Sequence, residues 1–152
     1  IHAPEGRGER FVIETERGPV CIVDESYNAN PASMRAALAT LGLTPRSEYK
    51  RRVAVLGDML ELGSDSPKLH RELAEAVDAA GIDVVFASGA DMASLFEALP
   101  ERRRGAYAKT SEELAPALLS SVQPGDIVMV KGSLGSRMAP LVEGLKRELE
   151  DG

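Results

Sequence analysis

Four short polar segments carry side chains and backbone groups that could bind a ligand. They are Asp24–Asn30 (DESYNAN), Gly57–Gly63 (GDMLELG), Ser88–Asp91 (SGAD) and Lys131–Arg137 (KGSLGSR). Three of them contain glycine, which lets a backbone approach a ligand closely, and all contain hydrogen-bonding side chains. Each follows an apolar run, so each lies where a strand is expected to end.

The first segment has the composition of a nucleoside-binding turn. Tyr27 can offer an aromatic face to a base, and Asp24 or Glu25 can accept hydrogen bonds from ribose hydroxyls. A plain turn with a helix cap is the alternative, since Asn and Asp favour such positions for local reasons. Tyr27 followed closely by Asn28 and Asn30 is more than a cap requires, which favours the ligand-binding interpretation.

The last segment resembles a small anion cradle. Lys131 and Arg137 supply positive charge, and Ser133 and the backbone N–H groups supply donors. The spacing of a Walker A loop is absent, and so is a Gly-x-Gly-x-x-Gly dinucleotide fingerprint. For Asp58 in the second segment, a ligand contact and a surface position in a tight turn both remain open.

Alternating apolar runs and amphipathic segments predict the elements that position these residues. Strands are expected at 11–13, 20–23, 53–56, 84–87, 106–108 and 127–130, the fifth being weak. Helices are expected at 31–41, 69–80, 93–99, 111–122 and 137–149, with Asn30 capping the first and Ser111 capping the fourth. This order predicts a single-domain α/β fold, a Rossmann-like, doubly wound, mostly parallel sheet flanked by helices. Residues 1–10 are predicted to be the end of an interdomain linker, and residues 11–152 the domain itself.

In such a sheet the carboxyl ends of parallel strands meet at one edge, where ligands bind. The amino ends of the helices point to the same edge and favour anions there. We therefore expect the four polar segments to share one cleft.

Composition excludes several classes of function. The net charge of −6 argues against a general nucleic-acid binder, and no apolar stretch approaches the ~20 residues of a membrane span. Two histidines and one cysteine give no metal-ligand pattern, so no metal site is expected. The lone Cys21 indicates a small core residue and a reducing, cytoplasmic setting. The chain starts without Met, which suggests a fragment of a longer protein.

Three blocks resemble the C-terminal domain of the ATP-dependent Mur ligases of bacterial cell-wall synthesis. They are Asp24–Met34 (DESYNANPASM), Val55–Gly63 (VLGDMLELG) and Val130–Ser133 (VKGS). The resemblance extends from about Gly6 to the end of the chain. It is strongest to the members that join D-alanyl-D-alanine to UDP-N-acetylmuramoyl-tripeptide.

The resemblance implies a three-domain parent whose last domain closes over ATP. An N-terminal domain would bind the UDP-sugar, and a central domain would hold most of the ATP and the Mg²⁺ ions. An acyl phosphate formed on the tripeptide would be attacked by the dipeptide amine. We expect this chain to carry no catalytic residue and to be inactive alone, because the phosphoryl-transfer groups belong to the other domains.

The resemblance also implies roles for individual residues. Arg7 would stand at the junction with the central domain and reach the nucleotide. The other nucleotide-binding residues would be Asp24, Glu25, Tyr27, Asn28 and Asn30. The substrate-binding residues would be Asp58, Lys131, Ser133 and Arg137, with a cation facing the carboxylate of the dipeptide.

Two departures from the family pattern leave alternatives open. Many relatives have two aspartates where this chain has Asp24 and Glu25, so either acid could meet the ribose. Many have Arg directly after Lys-Gly-Ser, whereas this chain has Leu134, with Arg137 three positions later. A freestanding Rossmann-like module for a nucleotide or metabolite is the main alternative function, and a nicotinamide oxidoreductase is disfavoured by the missing glycine fingerprint.

Overall fold

A computed structural model describes residues 6–151 of the chain as six strands and five α-helices. The strands are β1 (Glu9–Thr15), β2 (Gly18–Glu25), β3 (Arg51–Gly57), β4 (Val84–Ser88), β5 (Arg104–Ala108) and β6 (Asp126–Lys131). The helices are α1 (Pro31–Gly42), α2 (Ser66–Ala79), α3 (Met92–Ala98), α4 (Ser111–Ser121) and α5 (Ala139–Asp151). Among the described residues, no helix is both long and apolar enough to cross a membrane.

The strands form one sheet in the order β1-β2-β6-β3-β4-β5. Strands β2 to β6 are mutually parallel, and β1 is an antiparallel edge strand paired with β2. The last strand, β6, therefore inserts between β2 and β3. The predicted α/β fold with a mostly parallel sheet is confirmed.

Each face of the sheet is covered by helices, so the core has two halves. Alternate residues of the central strands point to opposite faces: Ala54 and Leu56 pack under α1, α2 and α3, whereas Val53 and Val55 pack under α4 and α5. The apolar side of each helix packs against these strand residues. Leu38 of α1, for example, lies in the same buried cluster as Ala54 and Leu56. Burial on both faces explains why the inner strands β2, β3, β4 and β6 consist largely of apolar residues.

The starts of α2 and α5 and the capping residue of α4 differ from the predicted ones. Helix α2 begins at Ser66, three residues early, because Pro67 fits a first turn. Helix α4 is capped by Thr110, whose side chain accepts from the Glu113 N–H, so the predicted cap at Ser111 was off by one residue. Helix α5 begins at Ala139 because Arg137 has a left-handed backbone, with φ 57°, which a helix cannot contain.

The amino-terminal residues are already attached to the domain from Gly6 onward. Gly8 donates its N–H to the Asp24 carbonyl oxygen, and Tyr27 donates its N–H to the Gly6 carbonyl oxygen. Residues 1–5 of the predicted linker end lie outside the described residues. Residues 6–8 therefore stand beside the turn that follows β2.

At the amino edge of the sheet, an ion pair ties β3 to β6. The Arg51 guanidinium donates to both carboxylate oxygens of Asp126, at 2.9 and 2.8 Å, and to the Ser121 carbonyl oxygen. Asp126 is 1% exposed and also accepts the Gln123 N–H. This pair fixes the register of the two strands whose opposite ends carry polar turns.

We predict that Asp126→Ala destabilises the chain by about 3 kcal/mol, because it leaves a half-buried guanidinium without its partner. Urea unfolding measures the loss. The control is Asp65→Ala, which removes an exposed carboxylate with no side-chain capping bond and should change stability by less than about 0.5 kcal/mol. Equal effects of the two substitutions would contradict the assignment.

Candidate functional site

The predicted polar segments lie side by side at one edge of the sheet. They follow β2, β3, β4 and β6, and these strands are parallel neighbours in the order β2-β6-β3-β4. The expectation of a common edge is therefore confirmed, but the segments line two separate cavities along that edge and do not share one cleft.

Ser133, in the turn after β6, connects the turns on either side of it. Its hydroxyl accepts the Leu60 N–H at 2.9 Å and donates to the Ala29 carbonyl oxygen at 3.3 Å. Its own N–H donates to the Asp58 carbonyl oxygen at 3.1 Å. Ser133 is 7% exposed, so it supports the turns from beneath and presents little surface to a ligand.

A cavity of about 290 Å³ gathers most of the residues predicted to meet a nucleotide. It is lined by Gly6, Arg7, Glu25, Tyr27, Asn28, Asn30, Ser33 and Lys131. The Asn30 side chain also caps α1 by accepting the Ser33 N–H at 2.8 Å. Asn30 therefore caps the helix and also lines the cavity, and its contact with a ligand stays a prediction. We call this space the first cavity.

Arg7 and Tyr27 form a stacked pair at the wall of the first cavity. The guanidinium carbon lies 3.7 Å from the centre of the tyrosine ring. A cation over an aromatic face is attractive by about 0.5–1 kcal/mol at exposed sites. Arg7 therefore occupies a face of Tyr27 on which a base could stack.

The two acids after β2 have different environments. Asp24 is 4% exposed, and its carboxylate accepts the N–H and the hydroxyl of Ser26, at 3.0 and 2.6 Å. Glu25 is partly exposed and lines the first cavity. Asp24 is thus engaged in the turn, and Glu25 is the acid available to a ligand.

Lys131 places a buried cation at the floor of the same cavity. Its Nζ donates to the Asn28 carbonyl oxygen at 2.9 Å, and Glu25 is its partner across the β2–β6 ladder. Burial lowers the pKa of Lys131 below its ordinary 10.5, and the Glu25 carboxylate opposes that shift. This lysine was predicted to bind substrate, yet it lines the cavity of the nucleotide residues.

A second cavity, of about 250 Å³, lies at the turns after β3, β4, β5 and β6. It is lined by Asp58, Leu60, Ser88, Gly89, Ala90, Lys109, Thr110, Ser111, Gly135, Ser136 and Arg137. The amino terminus of α4 opens on it, and Lys109 and Arg137 add two cations. Such a surface attracts a carboxylate or phosphate. Of the predicted substrate residues, Asp58 and Arg137 meet here, whereas Lys131 and Ser133 do not.

Sequence reasoning missed Lys109 and Ser111. They follow β5, which was recognised only as a weak strand, so the polar run Lys109-Thr110-Ser111 was not counted with the other turns. In the structure β5 is parallel to β4, and its end reaches the same edge. The Ser111 hydroxyl donates to the Arg137 carbonyl oxygen at 2.7 Å and helps hold that residue.

Asp58 lies between the second cavity and the start of α3. Its carboxylate accepts the Met92 N–H at 2.8 Å and the Asp91 N–H at 3.3 Å. Burial raises the pKa of Asp58 above its ordinary value, and these two hydrogen bonds oppose that shift. Asp58 therefore fixes the turn after β4 as well as lining the cavity.

His70 is a structural residue beneath these turns. It is fully buried, its Nε2 accepts the Met59 N–H at 3.0 Å, and its Nδ1 lies 2.7 Å from the Ser66 carbonyl oxygen. An acceptor Nε2 and a donor Nδ1 define the neutral imidazole. The 4.0 Å approach of Nε2 to the Asp58 carboxylate is accordingly no ion pair.

Comparison with known proteins identifies the family to which this arrangement belongs. The family model described as "Mur ligase, glutamate ligase domain" matches residues 6–134, so the chain belongs to the Mur ligase family. The UDP-N-acetylmuramoyl-tripeptide–D-alanyl-D-alanine ligase of Rickettsia prowazekii is 31% identical over 143 residues, covering 94% of this chain and 30% of that protein. The ligase of the same name from Escherichia coli is 37% identical over 139 residues, covering 91% and 29%. The chain thus spans about 30% of the length of these relatives and matches their C-terminal domain.

Solved structures agree with the sequence comparison. The MurF ligase of Thermotoga maritima in complex with ADP superposes with a TM-score of 0.76 at 28% identity, covering 99% of this chain and 33% of that one. A MurF structure from Acinetobacter baumannii gives a TM-score of 0.80 at 28% identity, covering 96% and 31%. The expected family and fold are confirmed.

We predict that Gly89→Ala destabilises the chain by about 2–4 kcal/mol. Gly89 has φ +116°, and an added Cβ would overlap the Asp58 carboxylate, so backbone strain and overpacking combine. Gly63→Ala is the matched control, because φ is +71° there but nothing lies within 4 Å of the added carbon. Urea unfolding should show a loss of about 1 kcal/mol for the control. Similar losses for both would mean that Asp58 does not lie against Gly89.

Proposed function

We propose that this chain is the C-terminal domain of the ATP-dependent ligase that joins D-alanyl-D-alanine to UDP-N-acetylmuramoyl-tripeptide in peptidoglycan synthesis. The observation that carries the proposal is the pair of neighbouring cavities at the carboxyl edge of the sheet. One has the groups for a nucleoside, and the other has the groups for a small carboxylate. The relatives named above supply the identity of the reaction.

The first cavity is the nucleotide contact of this domain. Glu25 accepts hydrogen bonds from the ribose, and Asn28 and Asn30 contribute polar groups around it. Arg7 leaves Tyr27 to meet the phosphates, which frees the aromatic face for the base. The ADP complex of the Thermotoga maritima relative supports a nucleotide in this family of folds.

The second cavity is the dipeptide contact. Lys109, Arg137 and the amino terminus of α4 attract the carboxylate of D-alanyl-D-alanine, and Asp58 is near enough to receive a donor from the peptide. Leu60 gives the methyl groups an apolar wall. This proposal replaces Lys131 and Ser133, which the resemblance alone had assigned to substrate.

The remaining chemistry belongs to parts of the ligase outside this chain. Among residues 6–151, no group of three or more His, Cys, Asp or Glu side chains is arranged to hold a metal ion, and the Mg²⁺ that accompanies a nucleotide is usually held by one or two carboxylates together with the phosphates. We assign it, most of the contacts to the ATP phosphates and the UDP-sugar to the N-terminal and central domains. The domain closes over ATP in the cytoplasm and has no ligase activity alone.

The complete product of the gene that encodes this chain should consume ATP and ligate the dipeptide only when all three substrates are present. The 152-residue chain should form no product, because it lacks the phosphoryl-transfer groups. Phosphate release and mass spectrometry of the UDP-linked product measure both. Amide formation by the chain alone, or none by the complete product, would refute the proposed function.

Glu25 should account for recognition of the ribose. We expect the complete product to bind ADP about tenfold more tightly than 2′-deoxy-ADP or 3′-deoxy-ADP, since a hydrogen bond to a charged group contributes about 1.5–3 kcal/mol. Glu25→Ala should abolish this preference. Asp24→Asn should keep it, because Asp24 is directed into its own turn. If only the Asp24 variant lost the preference, Asp24 and not Glu25 would be the acid that contacts the ribose.

Lys109 should recognise the dipeptide carboxylate. Lys109→Met should raise the KM for D-alanyl-D-alanine about tenfold with little change in the KM for ATP, because a charge-assisted contact of about 1.5 kcal/mol is lost. Lys50→Met is the control, since Lys50 lies before β3 at the opposite edge of the sheet. An unchanged KM for the dipeptide in the Lys109 variant would exclude the second cavity as its site.

A further inference from the structure

The two cavities are connected by one hydroxyl group. The Ser133 Oγ accepts from the Leu60 N–H, which belongs to the second cavity, and donates to the Ala29 carbonyl oxygen, which belongs to the turn of the first. A serine hydroxyl has one hydrogen to donate and lone pairs to accept, so both bonds are made at once. The two turns cannot move apart without breaking one of them.

Neighbouring bonds from the same short turn strengthen this link. Lys131 Nζ holds the Asn28 carbonyl oxygen on the first-cavity side, and the Ser133 N–H holds the Asp58 carbonyl oxygen on the second-cavity side. The turn after β6 can do this because β6 lies between β2 and β3. Ser133 is buried, so these hydrogen bonds are shielded from competing water.

We propose that Ser133 is a positioning residue that couples nucleotide binding to dipeptide binding. A nucleotide in the first cavity orders residues 27–30, and through Ser133 it orders the Leu60 backbone beside the second cavity. The dipeptide then meets a turn that is already fixed, so each ligand favours the other by the same factor. The inference takes the identity of the two ligands from the proposed function. The hydrogen-bonded link between the two turns does not depend on that function.

The link is tested by amide hydrogen exchange on the ligand-free chain. Ser133→Ala removes both bonds of the hydroxyl, so exchange should accelerate at Leu60 and, in parallel, at residues 27–30. Ser133→Thr keeps the hydroxyl and should restore slow exchange. Ser66→Ala is the matched control: its hydroxyl is equally buried but contacts only Asp91 and His70. Acceleration confined to Leu60 would overturn the proposal.

The coupling is tested by calorimetry on the complete gene product. Saturating ADP should tighten D-alanyl-D-alanine binding on the order of tenfold in the wild type. The factor should fall below twofold in Ser133→Ala and recover in Ser133→Thr, while Ser66→Ala keeps the wild-type factor. If Ser133 had only a structural role, Ser133→Ala would weaken the binding of both ligands, but ADP would tighten dipeptide binding by the same factor as in the wild type.

Three outcomes separate this inference from the proposed function. If coupling persists in Ser133→Ala, the inference is wrong and the proposed function stands. If the wild type binds the two ligands independently, the inference is also wrong and the proposed function again stands. Failure of the wild type to bind either ligand overturns the proposed function. In that case the exchange experiment still decides whether Ser133 joins the two turns.

Discussion

The site depends on the parallel pairing of β6 between β2 and β3. Without that insertion, the turn after β2 and the turn after β3 would be separated from the residues that hold them together. With it, Lys131 reaches one neighbour and Ser133 reaches both. The Arg51–Asp126 ion pair at the opposite end of β3 and β6 fixes the register that brings these turns level. The last strand of the chain lies between β2 and β3 and thus supplies the turn that joins the turns on either side of it.

Charge is distributed along this edge in a way that suits two different ligands. The first cavity combines the Glu25 carboxylate with the Arg7 and Lys131 cations, so it can meet both hydroxyls and phosphates. The second has Lys109, Arg137 and a helix amino terminus, so it favours a carboxylate. Within the segment after β6, Lys131 lines the first cavity and Arg137 lines the second. The chain changes direction between them, at the left-handed backbone of Arg137. A chain with a net charge of −6 therefore still groups cations at the edge where we propose that anions bind.

Much of the fold could be predicted because its signals are local. Apolar runs fixed the strands to within a few residues, and the capping asparagine before Pro31 marked the first helix. The positions of α5 and of the α4 cap were missed because they depend on backbone conformation at Arg137 and on which of two adjacent hydroxyls turns inward. The grouping of Arg7, Glu25, Tyr27, Asn28 and Asn30 was predicted from their place after β2 and from the family resemblance. Lys109 was missed, and Lys131 and Ser133 were grouped with Arg137 although neither lines the second cavity, because spacing along one turn does not reveal which neighbouring strand each side chain faces.

The central claim is that two ligands occupy adjacent cavities along one edge of the sheet. Titration of isotope-labelled chain with millimolar ADP, and separately with millimolar D-alanyl-D-alanine, followed by amide NMR shifts, tests it most directly. ADP should shift most strongly the amides of residues 7, 25–30 and 131, with a smaller shift at Leu60 that is transmitted through Ser133. The dipeptide should shift most strongly the amides of residues 58–60, 88–91, 109–111 and 135–137. Shifts from both ligands on one common set of amides, or shifts at the opposite edge near Arg51 and Asp126, would contradict the account.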